Sequence, residues 1–176
     1  MGGGPLHILY VIAPERFRDE ELSEPRRALE AAGHRVTVAS TRPGTATGML
    51  GARVAVASTI AQARADDVDA LVIAGGAGAP AHLWDHGPLL QLVKDLHARG
   101  RPLAAICLAP AVLARAGALA GKRATTYPQA SALIELKRGG ATYVEEPVVR
   151  DGTIVTASGP EAAAAFGAEL LQLLSA

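Results

Sequence analysis

The chain has one cysteine, Cys107, placed where the apolar run Pro102-Leu103-Ala104-Ala105-Ile106 meets a helix-forming stretch. A side chain on such a strand-to-helix turn projects above the sheet, as a nucleophile on an elbow does. It also faces the positive end of the following helix, whose unpaired N–H groups stabilise a thiolate. Together these features predict a reactive thiol titrating well below the ~8.5 of a free cysteine. The competing reading is an ordinary buried cysteine, the commoner fate of a lone thiol. Position at a strand end favours the reactive one.

Other residue patterns suggest chemistry less well. Gly76-Ala77-Gly78-Ala79-Pro80-Ala81 fits the G-x-G-x-x-A spacing of a dinucleotide turn. It follows a later strand, Pro80 disturbs a regular start of the helix, and no acidic residue ends the next strand. His82 and His86 stand four apart on a possible helix. No H-E-x-x-H glutamate or third ligand accompanies them, so surface histidines are expected and no metal. Ser158, in Ala-Ser-Gly, lacks the G-x-S-x-G setting of a nucleophile.

The elements that must position Cys107 alternate along the chain. Apolar strands are expected at 7–13, 35–40, 69–74, 102–106 and 122–127, and a loose alternation over 49–57 suggests an edge hairpin. Helices are expected at 20–32, 88–99, 108–116, 129–137 and 161–174, several closed by glycine. Two short strands, 148–149 and 154–157, flank an Asp151-Gly152 turn. Such alternation predicts a mainly parallel sheet with helices on both faces, whose sites lie at the carboxyl ends of the strands. The ends that matter are Ala13-Pro14, Gly75-Gly76 and Cys107.

Composition narrows the partners. At 176 residues the chain suits one domain, with the first five residues expected to be disordered. Lys+Arg and Asp+Glu both number 17 and only 3% of residues are aromatic, so neither a basic stripe nor stacking platforms point to nucleic acid. No apolar run reaches the ~18 residues of a membrane span, and the start resembles neither a signal peptide nor a myristoylation site. One cysteine allows no internal disulfide, so a cytoplasmic location is expected.

Several segments, taken together, resemble the ThiJ/PfpI superfamily. Ala104-Ala105-Ile106-Cys107-Leu108-Ala109-Pro110 is similar to its cysteine elbow, and Leu71-Val72-Ile73-Ala74-Gly75-Gly76 to its glycine pair. Glu21-Leu22-Ser23-Glu24-Pro25 matches its Glu-x-x-x-Pro on the first helix. Thr125-Thr126-Tyr127-Pro128 and the segment from Asp151 to Pro160 resemble its later motifs, in the right order. The resemblance implies a flavodoxin-like three-layer α/β sandwich and a homodimer or higher oligomer. It also implies that Glu21 hydrogen-bonds the sulfur in its protonated form, with Asp19 and Glu20 as fallbacks. The N–H groups of Gly76 and Leu108 would form an anion nest, and Gly75 and Tyr127 would border the pocket.

Two departures from the family pattern bear on activity. Leu108 stands where protease-like members carry histidine, and Tyr127 where members resembling the human deglycase do. All five histidines precede Cys107, so a Cys…His-x-Glu triad is absent. Peptide hydrolysis therefore lacks its usual proton carrier. What the resemblance then implies is cofactor-free cysteine chemistry on a small electrophile such as a reactive carbonyl, glyoxalase-like or deglycase-like, or a hydratase or lyase variant. The alternative is a stress-response or chaperone-like protein that senses oxidation at Cys107. A PfpI-type intracellular protease comes third.

Overall fold

The computed structural model describes residues 3–176. Runs such as Ile8-Leu9-Tyr10-Val11 and Ala70-Leu71-Val72-Ile73 are buried at successive positions, as strands covered on both faces must be. In chain order the first half forms β1 (His7–Val11), β2 (Glu15–Phe17), α1 (Asp19–Ala31), β3 (Arg35–Ser40), β4 (Gly44–Gly48), β5 (Arg53–Val56) and β6 (Ser58–Thr59). Next come β7 (Ala70–Ile73), α2 (Ala79–His82), α3 (Gly87–Ala98), β8 (Leu103–Ile106) and α4 (Pro110–Arg115). The chain closes with β9 (Arg123–Ala124), α5 (Ala130–Arg138), β10 (Thr142–Tyr143), β11 (Val148–Asp151), β12 (Ile154–Ala157) and α6 (Ala163–Ser175).

Seven strands make the central sheet in the order β11-β12-β8-β7-β1-β3-β6. Every pairing in it is parallel except that of β11 with β12. Helix α1 packs on α6, while α3, α4 and α5 form the other helical layer. The result is the expected three-layer sandwich. Gly167 lets α6 approach α1 closely: a Cβ there would lie 3.1 Å from Pro25 Cα.

The structure corrects four local expectations. The hairpin lies earlier than expected, with β4 and β5 paired antiparallel and residues 49–52 as its turn. It is joined by β2, an element without a sequence signal. Only Arg123–Ala124 of the expected strand 122–127 pairs, and with β10 outside the main sheet. The following residues instead bond to the elbow around Cys107 and to β12. Helix α4 begins at Pro110 rather than Leu108, after a turn. His82 ends α2 and His86 precedes α3, so the two do not share a helix. Gly3, Gly4 and Pro5 are exposed and join no strand or helix, and the rest of the expected disordered start lies outside the described residues.

The turn after β7 lies against the β2 segment with little clearance. A Cβ on Gly78 would fall 2.0 Å from the Glu15 carbonyl oxygen. Gly78→Ala should therefore lower stability by about 1–3 kcal/mol, the usual cost of overpacking. Urea denaturation checks this, and an unchanged midpoint would mean the two segments are not held in contact.

Candidate active site

Cys107 ends β8 with φ +64°, a left-handed conformation that non-glycine residues seldom adopt. Three hydrogen bonds impose it. The Cys107 N–H donates to Ala157 O at 2.9 Å, and its carbonyl accepts from Thr126 Oγ1 at 2.7 Å and Tyr127 N at 2.9 Å. That clamp sets the plane of the next peptide. The N–H groups of Leu108 and Gly76 then stand beside the sulfur and favour its ionised form. Trp84 Nε1 donates to the Leu108 carbonyl at 2.8 Å, and the Arg115 guanidinium lies 5.3 Å from the Trp84 ring centre. Two bonds of 2.9 Å to Glu135 hold that guanidinium in turn.

Glu21 comes to the sulfur from the first turn of α1. Its side chain is fully buried, with Oε1 accepting the Gly75 N–H at 2.8 Å. Oε2 is buried too and has no nitrogen or oxygen partner. The carboxyl's other close polar neighbour is the Cys107 side chain. The fallback residues are engaged elsewhere. Asp19 accepts the N–H groups of Leu50 and Ala52 at 3.0 and 2.9 Å, tying α1 to the hairpin turn. Glu20 pairs with Arg18.

Burial dominates the electrostatics of the pair. Desolvation pushes the Glu21 carboxyl up to about 7, against which the Gly75 N–H and the thiol contact work only partly. The Cys107 thiol is pushed up to about 12, first by burial and then by the Glu21 charge. The N–H groups of Gly76 and Leu108 pull the other way. This overturns the expected low thiol pKa. The helix meant to supply the positive field starts three residues later and spans only six residues. Glu21 is therefore the group whose pKa is pushed nearest neutrality, and below about pH 7 its protonated carboxyl can donate a hydrogen bond to the sulfur.

A further residue, unflagged by the sequence, positions Glu21. Pro25 lies one helical turn on and has no N–H, so the Glu21 carbonyl lacks its helical donor. The hydroxyl of Tyr10 on β1 supplies it. Tyr10 is fully buried, and burial followed by the Glu21 charge holds its pKa well above the ordinary value, so it remains a donor. The sequence clue was Pro25 itself, which predicts an orphaned carbonyl at Glu21.

A cleft of about 220 Å³ opens over the sulfur, walled by Arg18, Met49, Gly76, Tyr127 and Gln129. Tyr127 is half exposed at its rim. Gly75, expected in the same wall, stands behind it against Glu21. A larger groove of about 680 Å³ runs along α1 beside β5, but it does not contain Cys107. Among the described residues, no group of three or more His, Cys, Asp or Glu side chains is arranged to hold a metal ion. None of the described helices is long and apolar enough to cross a membrane.

The model of the DJ-1/PfpI family matches residues 7–173. The chain belongs to the DJ-1/PfpI family. An uncharacterized protein of Methanocaldococcus jannaschii is 47% identical over 167 residues, covering 95% of this chain and 82% of that one. A deglycase of Pyrococcus abyssi is 34% identical over 164 residues, covering 93% and 97%. Among solved structures, a ThiJ/PfpI domain protein from Brachyspira murdochii superposes with a TM-score of 0.92 at 31% identity, covering 98% of both chains.

Two predictions follow from the buried carboxyl. Tyr10→Phe leaves the Glu21 carbonyl without a donor and should cost about 1–3 kcal/mol. Adding Pro25→Ala restores an N–H at that position, so the double variant should recover part of the loss in urea titrations. Additive losses would remove the proposed link. The carboxyl's folded value of about 7 exceeds its ordinary 4.5, so the unfolded chain ionises first as pH rises. Glu21 should thus lower stability progressively between those pH values, by up to roughly 3 kcal/mol at 1.36 kcal/mol per unit. Urea midpoints at pH 5 and 7.5 should differ less in Glu21→Gln than in the unaltered protein.

Proposed function

We propose that the protein is a cofactor-free, cysteine-dependent enzyme acting on small reactive carbonyl compounds, with a deglycase-like or glyoxalase-like reaction. The observation that carries this is the pairing of Cys107 with a buried carboxyl that titrates near pH 7, at the floor of a small cleft. That is the working range of a general acid–base group. The deglycase name of the Pyrococcus abyssi relative supports the same reading.

In this scheme the sulfur bonds to an aldehyde carbon and the carbonyl π pair moves to oxygen. That oxygen takes up the proton held between thiol and carboxyl, giving a hemithioacetal. The N–H groups of Gly76 and Leu108 stabilise negative charge at sulfur while the thiolate forms. For a 2-oxoaldehyde, Glu21 can then carry a proton from one carbon to the other. One carbon is oxidised as its neighbour is reduced, so the shift needs no external oxidant. Water releases the resulting thioester as a 2-hydroxy acid.

The oxidation-sensing alternative fits the site less well. Sensor cysteines are exposed thiolates of low pKa, whereas Cys107 is buried and its thiol is pushed up. Proteolysis is disfavoured as well, because the cleft wall holds no imidazole.

Methylglyoxal consumption by the purified protein tests the proposal. Cys107→Ser should abolish turnover, and Glu21→Gln should reduce it by about 10²-fold or more, the usual worth of a general acid–base group. Turnover that survives Cys107→Ser would rule out the mechanism.

A further inference from the structure

Among the described residues, Arg18 is the only one in the wall of the Cys107 cleft whose side chain is charged. Its backbone is fixed independently of that side chain, because the Arg18 N–H donates to the Gly75 carbonyl at 3.0 Å. Glu20 grips the guanidinium from one edge, at 2.9 Å to Nε and 3.0 Å to Nη2. The pair keeps the planar group from folding into solvent and leaves Nη1 to donate. The side chain is about 28% exposed, so the guanidinium borders the cleft instead of lying sealed beneath it.

Nearby negative charge is largely committed. Asp19 is bound to the amides of Leu50 and Ala52. Glu20 is matched to Arg18, and Glu21 is protonated below about pH 7. An incoming anion would meet one donor-rich cation at the wall and two N–H groups at the floor. Arginine is the side chain best suited to holding a carboxylate.

We infer that Arg18 is a specificity-determining residue, and that the preferred substrates are small carbonyl compounds carrying a carboxylate. This deepens the proposed function and rests on it. Arg18 would hold the carboxylate while Cys107 adds to the aldehyde carbon of a 2-oxoaldehyde that carries it, with bonds and proton moving as described above. The small cleft restricts the class to short 2-oxoaldehydes whose carboxylate lies close by, of which 2,3-dioxopropanoate is the simplest.

Paired alkylating reagents separate the charge effect from general reactivity. Iodoacetate and iodoacetamide both react by forming an S–C bond and expelling iodide, and they differ in bearing a carboxylate or a neutral amide. Second-order rates at Cys107 would be measured for each by intact mass, in the unaltered protein, in Arg18→Gln and in a cysteine peptide. The readout is the ratio of the two rates, which cancels changes in thiolate fraction caused by losing a charge near Glu21. In the unaltered protein the iodoacetate-to-iodoacetamide ratio should exceed the peptide's by on the order of tenfold, the low end for a charge-assisted hydrogen bond. Arg18→Gln should bring it back to the peptide value, and Arg18→Lys should retain part of the preference. A ratio equal to the peptide's in the unaltered protein, or unchanged in Arg18→Gln, overturns the inference while leaving the reactive cysteine intact. If neither reagent modifies Cys107 in the folded protein but both do after denaturation, the proposed function fails and the inference falls with it.

Discussion

The peptide of Gly75 touches all parts of the site. Its N–H donates to the Glu21 carboxyl and its carbonyl accepts from the Arg18 N–H. A Cβ at Gly75 would lie 2.6 Å from the Ile106 carbonyl oxygen and 2.8 Å from Cys107 Cβ. Only glycine allows the turn after β7, the start of α1 and the elbow after β8 to approach so closely. The neighbouring Gly76 has φ +107° and almost no space beside Arg18 N, and it turns its own N–H toward the sulfur. The two glycines thus set both the distance between carboxyl and thiol and the donors around them.

That close approach also determines the electrostatics. Segments packed so tightly exclude water, and an excluded carboxyl holds its proton to higher pH. One well-placed N–H on Glu21 is not enough to reverse this, and Oε2 has no partner of its own among nitrogen and oxygen atoms. The site therefore keeps a group able to give or take a proton near neutrality although no histidine stands beside Cys107. The absence of imidazole at positions 108 and 127 is thereby offset, at a cost in stability carried by a buried carboxyl.

Support for the geometry comes from residues with no chemistry of their own. Thr126 and the Tyr127 N–H hold the strained elbow, Trp84 holds the peptide after it, and Tyr10 replaces the donor that Pro25 lacks. Together they satisfy main-chain groups that would otherwise be buried without a partner. They explain why the segment after β9 leaves its strand: its hydrogen bonds are spent on Cys107 and on Thr156, not on a neighbouring ladder.

The order of strands and helices was legible in the sequence, because buried parallel strands must be apolar throughout and their crossover helices end at glycine. The place of Cys107 followed from the same pattern, since it closes one such strand. Glu21 and the glycine pair were legible through resemblance to a family, not through any local signal that could pair them. Packing alone decided that Gly75 and Glu21, 54 residues apart, would meet, and that the sulfur and the carboxyl would be buried together. The sequence suggested a thiol acidified by a helix. The tertiary structure instead delayed that helix, desolvated the thiol and left the neutral-range titration to its neighbour. A pKa depends on what surrounds a group in space, and residue order does not contain that until the chain is folded.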